Sequence, residues 1–266
     1  MAMRMRLVVK DVIQALRLWP IWLQLGIQDI RLRFRRSVLG VGWIFINLAV
    51  VLLAIGVVYG KLLGQDMAGF LPFLTIGLVA WGYLTSSIIE GGNAFIASEG
   101  YIKQIGLPIY VYVFRFFVSP SLTMLLSFLA YLVVAFVYKV EYHWGTFWAV
   151  PGMLLLSTVS LLLITIFAHL NARFRDTVYL AGAALQVLFY ITPVLWPPDM
   201  LRDRGLPWVV DYNPFYHLLE VVRQPLLHAQ PAALVNYQAV GILIIGLTMV
   251  AATFAWRYHQ RLVYFL

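Results

Sequence analysis

The fold is decided by residues 37–60, which read SVLGVGWIFINLAVVLLAIGVVYG and contain no charged side chain. This run of 24 residues lies between Arg36 and Lys61. A helix of about 20 apolar residues is long enough to cross the roughly 30 Å of hydrocarbon in a bilayer. The run therefore predicts a transmembrane helix near residues 38–60.

Five further apolar runs follow, and charged residues separate them in the same way. The chain is 62% apolar and 11% charged, whereas an average soluble domain is about 45–50% apolar and about 25% charged. Backbone polar groups find no water in lipid, so such runs adopt helices. We therefore expect an all-α integral membrane protein with six transmembrane helices in a single domain over residues 1–266. The other five predicted helices lie near residues 69–90, 109–138, 148–170, 178–197 and 233–256.

Lysine and arginine residues indicate the orientation of these helices. Six spans place both termini on one side of the membrane, and that side carries 14 of the 19 Lys and Arg residues. Cytoplasmic loops of membrane proteins carry an excess of these residues. We therefore expect both termini to be cytoplasmic, and the net charge of +8 to reflect this bias rather than nucleic-acid binding. Polar residues interrupt the first apolar stretch, so we expect no cleaved signal peptide.

Residues 1–36 form the predicted cytoplasmic N-terminal segment, which contains an amphipathic interface helix. Pro20 suits the first turn of that helix. One apolar and one polar stripe then recur at helical spacing, and their members are Leu23, Ile27, Ile30 and Phe34, and Gln24, Gln28, Arg31 and Arg35. Such a helix lies along a membrane surface. It serves as an anchor to anionic headgroups or as a docking element for a cytoplasmic partner, and both roles are compatible.

Residues 198–232 form the longest predicted outward segment. Prolines recur along it, and apolar residues separate its charged ones. Long loops with such apolar content usually fold. We therefore expect short re-entrant or interfacial helices between the fifth and sixth transmembrane helices.

The predicted spans carry no charged residue near their centres. Transporters coupled to protons or ions usually need ionisable groups there, and the five histidines lack the spacing of a metal site. We therefore predict no catalytic residue, no bound cofactor and no metal ligand. If the protein transports a substrate, something else must drive the transport, and a nucleotide-hydrolysing partner would then bind at the cytoplasmic side. Gly56, Gly60 and Gly64 form two overlapping GxxxG steps, which indicate close packing within the chain or at a dimer contact.

The N-terminal half resembles a known family. Residues 32–47 (LRFRRSVLGVGWIFIN) resemble the opening signature of type-2 ABC exporter permeases, which move O-antigen, capsule or teichoic-acid polymers. Residues 73–81 (FLTIGLVAW) are similar to the second span of that family, and residues 101–108 (YIKQIGLP) to the loop that follows it. Leu48 stands where the family often has proline, which bears on the bend of the first helix.

The C-terminal half matches the same family in the same order. The similar segments are residues 170–176 (LNARFRD), 190–198 (YITPVLWPP) and 213–215 (NPF). The resemblance therefore covers nearly the whole chain.

The resemblance implies a permease subunit that is not itself an enzyme. It implies a permease homodimer in a 2:2 complex with ATPase subunits, which bind the ATP and magnesium. The implied cargo is a polysaccharide on undecaprenyl diphosphate, exported across the bacterial inner membrane, and O-antigen, capsule and teichoic acid remain open. Loop position within the family implies ATPase contact at Glu99, Tyr101, Lys103 and Gln104. Arg173, Arg175 and Asp176 are expected to support this contact, with pairing among themselves as the alternative.

Two further residue sets suit such a cargo. Arginine pairs with phosphate through two hydrogen bonds. The candidates for binding the lipid diphosphate are Arg31, Arg33, Arg35 and Arg36. The alternative is that these residues only reflect the general excess of Lys and Arg on the cytoplasmic side. Aromatic rings can stack on sugars, with the ordinary aromatic belt of membrane interfaces as the alternative. The candidate channel aromatics are Trp43, Phe45, Tyr59, Trp81, Tyr83, Phe189 and Tyr190.

Two other functions remain open. One is a membrane-bound transferase that acts on lipid-linked glycans, although the acidic or histidine cluster that it would need is not visible. The other is a type-2 ABC permease for another lipid or a drug. Such permeases often carry a large outward domain, and the predicted loops leave no room for one.

Overall fold

The computed structural model describes residues 2–62, 64, 66–259 and 262–266, and all regular elements of this part of the chain are helical. Short 3₁₀ turns lie at Gly91–Asn93 and Trp144–Trp148. The α-helices are Ala2–Arg17 (α1), Trp19–Phe34 (α2), Gly42–Leu62 (α3), Met67–Ile89 (α4), Glu99–Gln104 (α5), Tyr110–Val137 (α6), Ala149–Arg173 (α7), Thr177–Ile191 (α8), Asp199–Arg202 (α9), Pro207–Asp211 (α10), Pro214–His228 (α11), Leu234–Tyr258 (α12) and Leu262–Phe265 (α13).

Four of the six predicted spans are confirmed as helices that are long and apolar enough to cross a membrane. They are Met67–Asn93, Tyr110–Val137, Trp144–Arg173 and Leu234–Tyr258. The other two predicted spans correspond to α3 and α8, whose apolar parts within the described residues, Gly42–Gly56 and Thr177–Ile191, are shorter. The protein is therefore a multi-pass membrane protein, and the count of six spans stays a prediction.

Helix α8 ends earlier than the predicted span of 178–197. Thr192 leaves the helix with an extended backbone, at ψ 138°, because a residue before proline disfavours helical geometry. The 15 residues of α8 rise only about 22 Å, at 1.5 Å per residue. After this point the chain turns back, and the Trp196 indole N–H donates to the Tyr190 carbonyl over 3.1 Å.

Helix α4 lies at the centre of the bundle, where it packs against α3, α6, α7, α8 and α11. Leu74 and Leu84 on α4 and Leu156 on α7 are fully buried in the shared core. This core is continuous with α11, because a Cβ atom at Gly152 of α7 would run into the Val221 carbonyl. The backbones of α7 and α11 are thus in direct contact.

The segment between α8 and α12 folds into three helices. Asn213 begins α11: its side-chain oxygen accepts from the Phe215 and Tyr216 backbone N–H groups, as an N-cap does. Most of α11 is buried, including Leu218 and Val221. The segment is therefore helical, and its re-entrant or interfacial position stays a prediction.

The N-terminal segment contains two helices, of which only α2 corresponds to the predicted interface helix. Its apolar stripe is half-buried and its polar stripe is exposed, as the spacing predicts. Gly26 is buried against α6, and an added Cβ would lie 2.5 Å from the Val118 Cβ. Helix α2 is therefore packed on the bundle as well as amphipathic.

Candidate coupling face and conduit

One end of the bundle carries α1, α2, α5 and residues 173–176, and we call it the basic end. Arg115, near the start of α6, connects its parts. The Arg115 Nε and Nη2 atoms donate to the two carboxylate oxygens of Asp29 on α2, over 2.7 and 2.6 Å. The same guanidinium carbon lies 5.7 Å from the centre of the Tyr101 ring on α5. One side chain therefore contacts α2 and α5 from its position on α6.

Two further contacts fix the N-terminal helices to the bundle. Arg33 on α2 forms an ion pair with Glu90, the C-cap residue that follows α4. The Asp11 carboxylate of α1 accepts from the backbone N–H groups of Ile109 and Tyr110 over 3.2 and 3.0 Å. These are the free N–H groups of the first turn of α6, where a negative charge is favourable. These contacts join α2 to the end of α4 and α1 to the start of α6.

Helix α5 presents polar side chains outward at this end. Tyr101, Lys103 and Gln104 are exposed, and Lys103 forms an ion pair with Glu99 over 2.6 Å. The hydrogen bond and charge of Lys103, and then the charge of Arg175, hold the pKa of the Glu99 carboxyl below its ordinary value. Helix α5 therefore offers an exposed polar surface at this end.

That loop holds the other predicted coupling residues. Arg173, Arg175 and Asp176 are exposed. The Arg173 guanidinium is surrounded by three aromatic rings, with its carbon 5.2 to 5.6 Å from the ring centres of Phe174, Phe265 and Tyr258. Arg173 thus also connects the loop to the C-terminal helices. ATPase contact by the seven predicted residues stays a prediction.

The four arginines proposed for the lipid diphosphate differ in their surroundings. Arg33 is engaged by Glu90. Arg31, Arg35 and Arg36 are exposed at the end of α2 and just beyond it. Their role in binding phosphate stays a prediction.

A groove of about 420 Å³ lies between α4 and α8. Its lining includes Trp81, Thr85, Ser86, Gln186 and Phe189. The Trp81 ring centre lies 5.7 Å from that of Phe189 and 5.6 Å from that of Phe215 on α11. Trp81 therefore contacts both Phe189 of the groove and Phe215 of α11.

The other predicted channel aromatics lie elsewhere. Trp43 and Tyr190 are exposed on α3 and α8, and Phe45 is half-buried. Tyr83 is buried, with its hydroxyl 3.2 Å from the Ser121 Oγ, and it lines a smaller groove of about 120 Å³ between α4 and α6. The Tyr59 side chain lies outside the described residues.

The sequence reasoning missed a buried ion pair. Glu220 and Arg223 on α11 are joined over 3.2 Å, with side chains 3% and 2% exposed. Their spacing of three residues places them on one face of a helix. A prediction that a helix begins at Pro214 would therefore have been enough to predict the ion pair. The sequence predicts that the outward segment folds, but it does not predict that Glu220 and Arg223 lie inside the bundle.

The family is shown by comparison with known proteins. Residues 22–227, more than half of the chain, match the ABC-2 type transporter family. The chain belongs to the ABC-2 type transporter family. The matched range runs from α2 through α11, so it includes the groove, the buried ion pair and most of the basic end.

Several ABC-2 transporter relatives carry a more specific name. A protein from Klebsiella pneumoniae named O-antigen export system permease protein RfbA is 24% identical over 219 residues, which are 82% of this chain and 83% of the relative. A protein of the same name from Myxococcus xanthus is 27% identical over 181 residues, which are 67% of this chain and 68% of the relative. This ABC-2 chain is a membrane transport subunit, and its ATPase is a separate partner.

Proposed function

We propose that this protein is the permease of an exporter that moves lipid-linked polysaccharide of the O-antigen type across the bacterial inner membrane. The observation that carries the proposal is the similarity to relatives named as O-antigen export permeases over about four fifths of both chains. The carrier lipid in this proposal is undecaprenyl diphosphate.

The basic end faces the cytoplasm in this proposal, with both termini on that side. The excess of Lys and Arg at this end supports the orientation. The ATPase then docks on α5 and residues 173–176, because Tyr101, Lys103 and Arg175 are exposed there. Two permeases and two ATPases form the complex, and ATP and magnesium bind in the ATPase.

The contacts at the basic end give a route for the motion of the ATPase. A push on α5 reaches Arg115 through the Tyr101 ring. Arg115 passes the displacement to α2 through its two hydrogen bonds to Asp29. Helix α2 in turn is tied to the end of α4 through Arg33 and Glu90, and α4 forms one wall of the groove.

The groove between α4 and α8 suits an uncharged sugar chain. Phe189 and the small exposed part of Trp81, which is 7% exposed, offer aromatic surface, which combines apolar contact with defined geometry. Thr85, Ser86 and Gln186 offer hydroxyl and amide groups, which donate and accept hydrogen bonds without a fixed charge. Weak contacts of this kind hold a polymer while still allowing it to slide.

Removal of this chain from its host tests the proposal. We expect surface polysaccharide to disappear and lipid-diphosphate-linked polymer to accumulate inside the cell, with both effects reversed when the chain is supplied again. Unchanged surface polysaccharide together with a lost tolerance to a drug would contradict the proposal and favour a permease for small molecules. Loss of the polymer without accumulation would favour a transferase that acts on lipid-linked glycans.

A further inference from the structure

Helix α11 holds a buried guanidinium in a fixed position. Arg223 and Glu220 are 1% and 2% exposed. The Arg223 Nη1 atom donates to the Glu220 Oε1 over 3.2 Å and to the Pro193 carbonyl over 3.0 Å. The other Glu220 oxygen accepts from the Gln224 amide over 2.8 Å. Nη1 therefore ties Arg223 both to its own helix and to the turn after α8.

The guanidinium lies beside the middle of α4, a helix long enough to cross the membrane. Its carbon is 3.8 Å from the centre of the Phe73 ring, and its Nη2 atom faces Gly77. Gly77 comes ten residues after Met67, the first residue of α4, which is a rise of about 15 Å. Ionisable groups at such depth are costly and mark substrate pathways.

One edge of the Arg223 guanidinium lacks partners. Neither Nε nor Nη2 has a hydrogen-bond partner among the described residues, although buried N–H groups nearly always have one. These two N–H groups form the edge that binds two oxygens of a phosphate or carboxylate at once. The free edge therefore fits an anion with two oxygens side by side.

The Nε and Nη2 edge of Arg223 lies against Gly77 of α4, next to the groove. A Cβ atom added to Gly77 would lie 2.5 Å from Nη2, so any larger residue at this position would force the guanidinium to move. Trp81, one turn further along the same face of α4, lines the groove and contacts Phe215 of α11. Separation of α11 from α4 would expose the free edge of Arg223 at the end of the groove.

We propose that Arg223 binds the diphosphate of the lipid-linked cargo through Nε and Nη2 as the cargo passes between α4 and α11. This inference rests on the proposed function. Nη1 stays with Glu220, and Gln224 continues to satisfy the second Glu220 oxygen, so the pair orients the guanidinium for the phosphate. A lysine would keep the positive charge, but it would lack the two adjacent N–H groups that bind two oxygens at once.

The test uses the full permease with its ATPase in lipid nanodiscs, and it measures how ATPase activity responds to a short oligosaccharide on undecaprenyl diphosphate. The informative variants are Arg223→Lys, which keeps the ion pair, and the double variant Glu220→Gln/Arg223→Met, which replaces it by neutral groups of similar size. Arg204→Lys, at an exposed arginine of the same segment, is the matched control. Complex yield and melting temperature establish that each variant assembles.

We expect both Arg223 variants to raise the half-saturating probe concentration about tenfold or more, since hydrogen bonds to a charged group are lost, and the control to match the native complex. If both variants assemble and respond like the native complex, the pair is only structural and the inference is overturned. A response of the native complex to phosphatidylglycerol as strong as to the probe would make the ligand a membrane phospholipid and overturn the assignment to cargo. If the native complex responds to no lipid-linked glycan, the proposed function itself fails.

Discussion

The hydrogen bonds between Arg115 and Asp29 give the sharpest test of the coupling route. We consider the substitution Asp29→Ala, which removes the acceptor of two charged hydrogen bonds at 2.7 and 2.6 Å. Hydrogen bonds to charged groups contribute roughly 1.5–3 kcal/mol each. Loss of one partner of a fully buried ion pair costs about 3–5 kcal/mol.

The expected cost here is smaller, because the pair is not fully buried. The Arg115 and Asp29 side chains are 13% and 27% exposed, so water reaches the guanidinium that remains. The contact of Arg115 with the Tyr101 ring also remains. We therefore expect a loss of about 2–3 kcal/mol, which lowers the melting temperature of the purified permease by roughly 4–10 °C.

The coupling route adds a functional expectation. In proteoliposomes that contain the permease and its ATPase, Asp29→Ala should reduce the glycolipid moved per ATP hydrolysed by about tenfold or more, since each loss of about 1.4 kcal/mol in a coupling equilibrium is a factor of ten. The exchanged pair Asp29→Arg/Arg115→Asp should recover part of both losses. Asp203→Asn, at an exposed carboxylate of the outward segment, is the control and should change neither quantity.

Two outcomes would refute the reasoning. An unchanged melting temperature in Asp29→Ala would mean that the two hydrogen bonds contribute nothing to stability. A lowered melting temperature with normal transport per ATP would mean that the contact is structural and that motion reaches α2 by another path.

Three further predictions concern α4 and α5. Gly77→Ala should lower the yield of folded permease, because the new Cβ would lie 2.5 Å from the Arg223 Nη2 and 3.1 Å from the Val194 carbonyl. Gly69→Ala, on the same helix but with open space around it, should leave the yield unchanged. Equal yields of the two variants would contradict this prediction. Trp81→Ala should reduce polymer export severalfold in cells while the complex with the ATPase still forms. Replacement of the exposed Trp144 by Ala serves as the control. Normal export in Trp81→Ala would show that this ring does not line the path of the polymer. Lys103→Glu should weaken co-purification of the ATPase, because it reverses the charge of an exposed α5 residue, and undiminished co-purification would place the docking surface elsewhere.

Much of the helical pattern could be predicted from the sequence. A charge-free run must form a helix in lipid, so each of the six runs has a helix in the structure. The predicted end of α8 was wrong by six residues, because the apolar count continued through Pro193 although proline disfavours a helix before it. Helix α1 was not predicted: Lys10 and Asp11 interrupt its apolar residues, and its stability comes from contacts with α6 and α12.

The contacts at the candidate sites were less predictable. Asp29 and Arg115 are 86 residues apart, and a single sequence gives no signal for such a pairing. Glu220 and Arg223 are three residues apart, so their pairing could have been predicted, but their burial against α4 depends on how α11 packs. The aromatic residues of the predicted second and fifth spans lie on α4 and α8, whereas only the packing distinguishes Trp81 in the groove from the exposed Trp43.

The central claim is that this chain forms a passage for glycolipid and depends on an ATPase bound at its basic end. The most direct measurement is the transfer of a lipid-diphosphate-linked oligosaccharide between the leaflets of proteoliposomes, with the permease alone and with its ATPase. We expect transfer only when the ATPase and ATP are both present. Transfer at the same rate by the permease alone would contradict the claim.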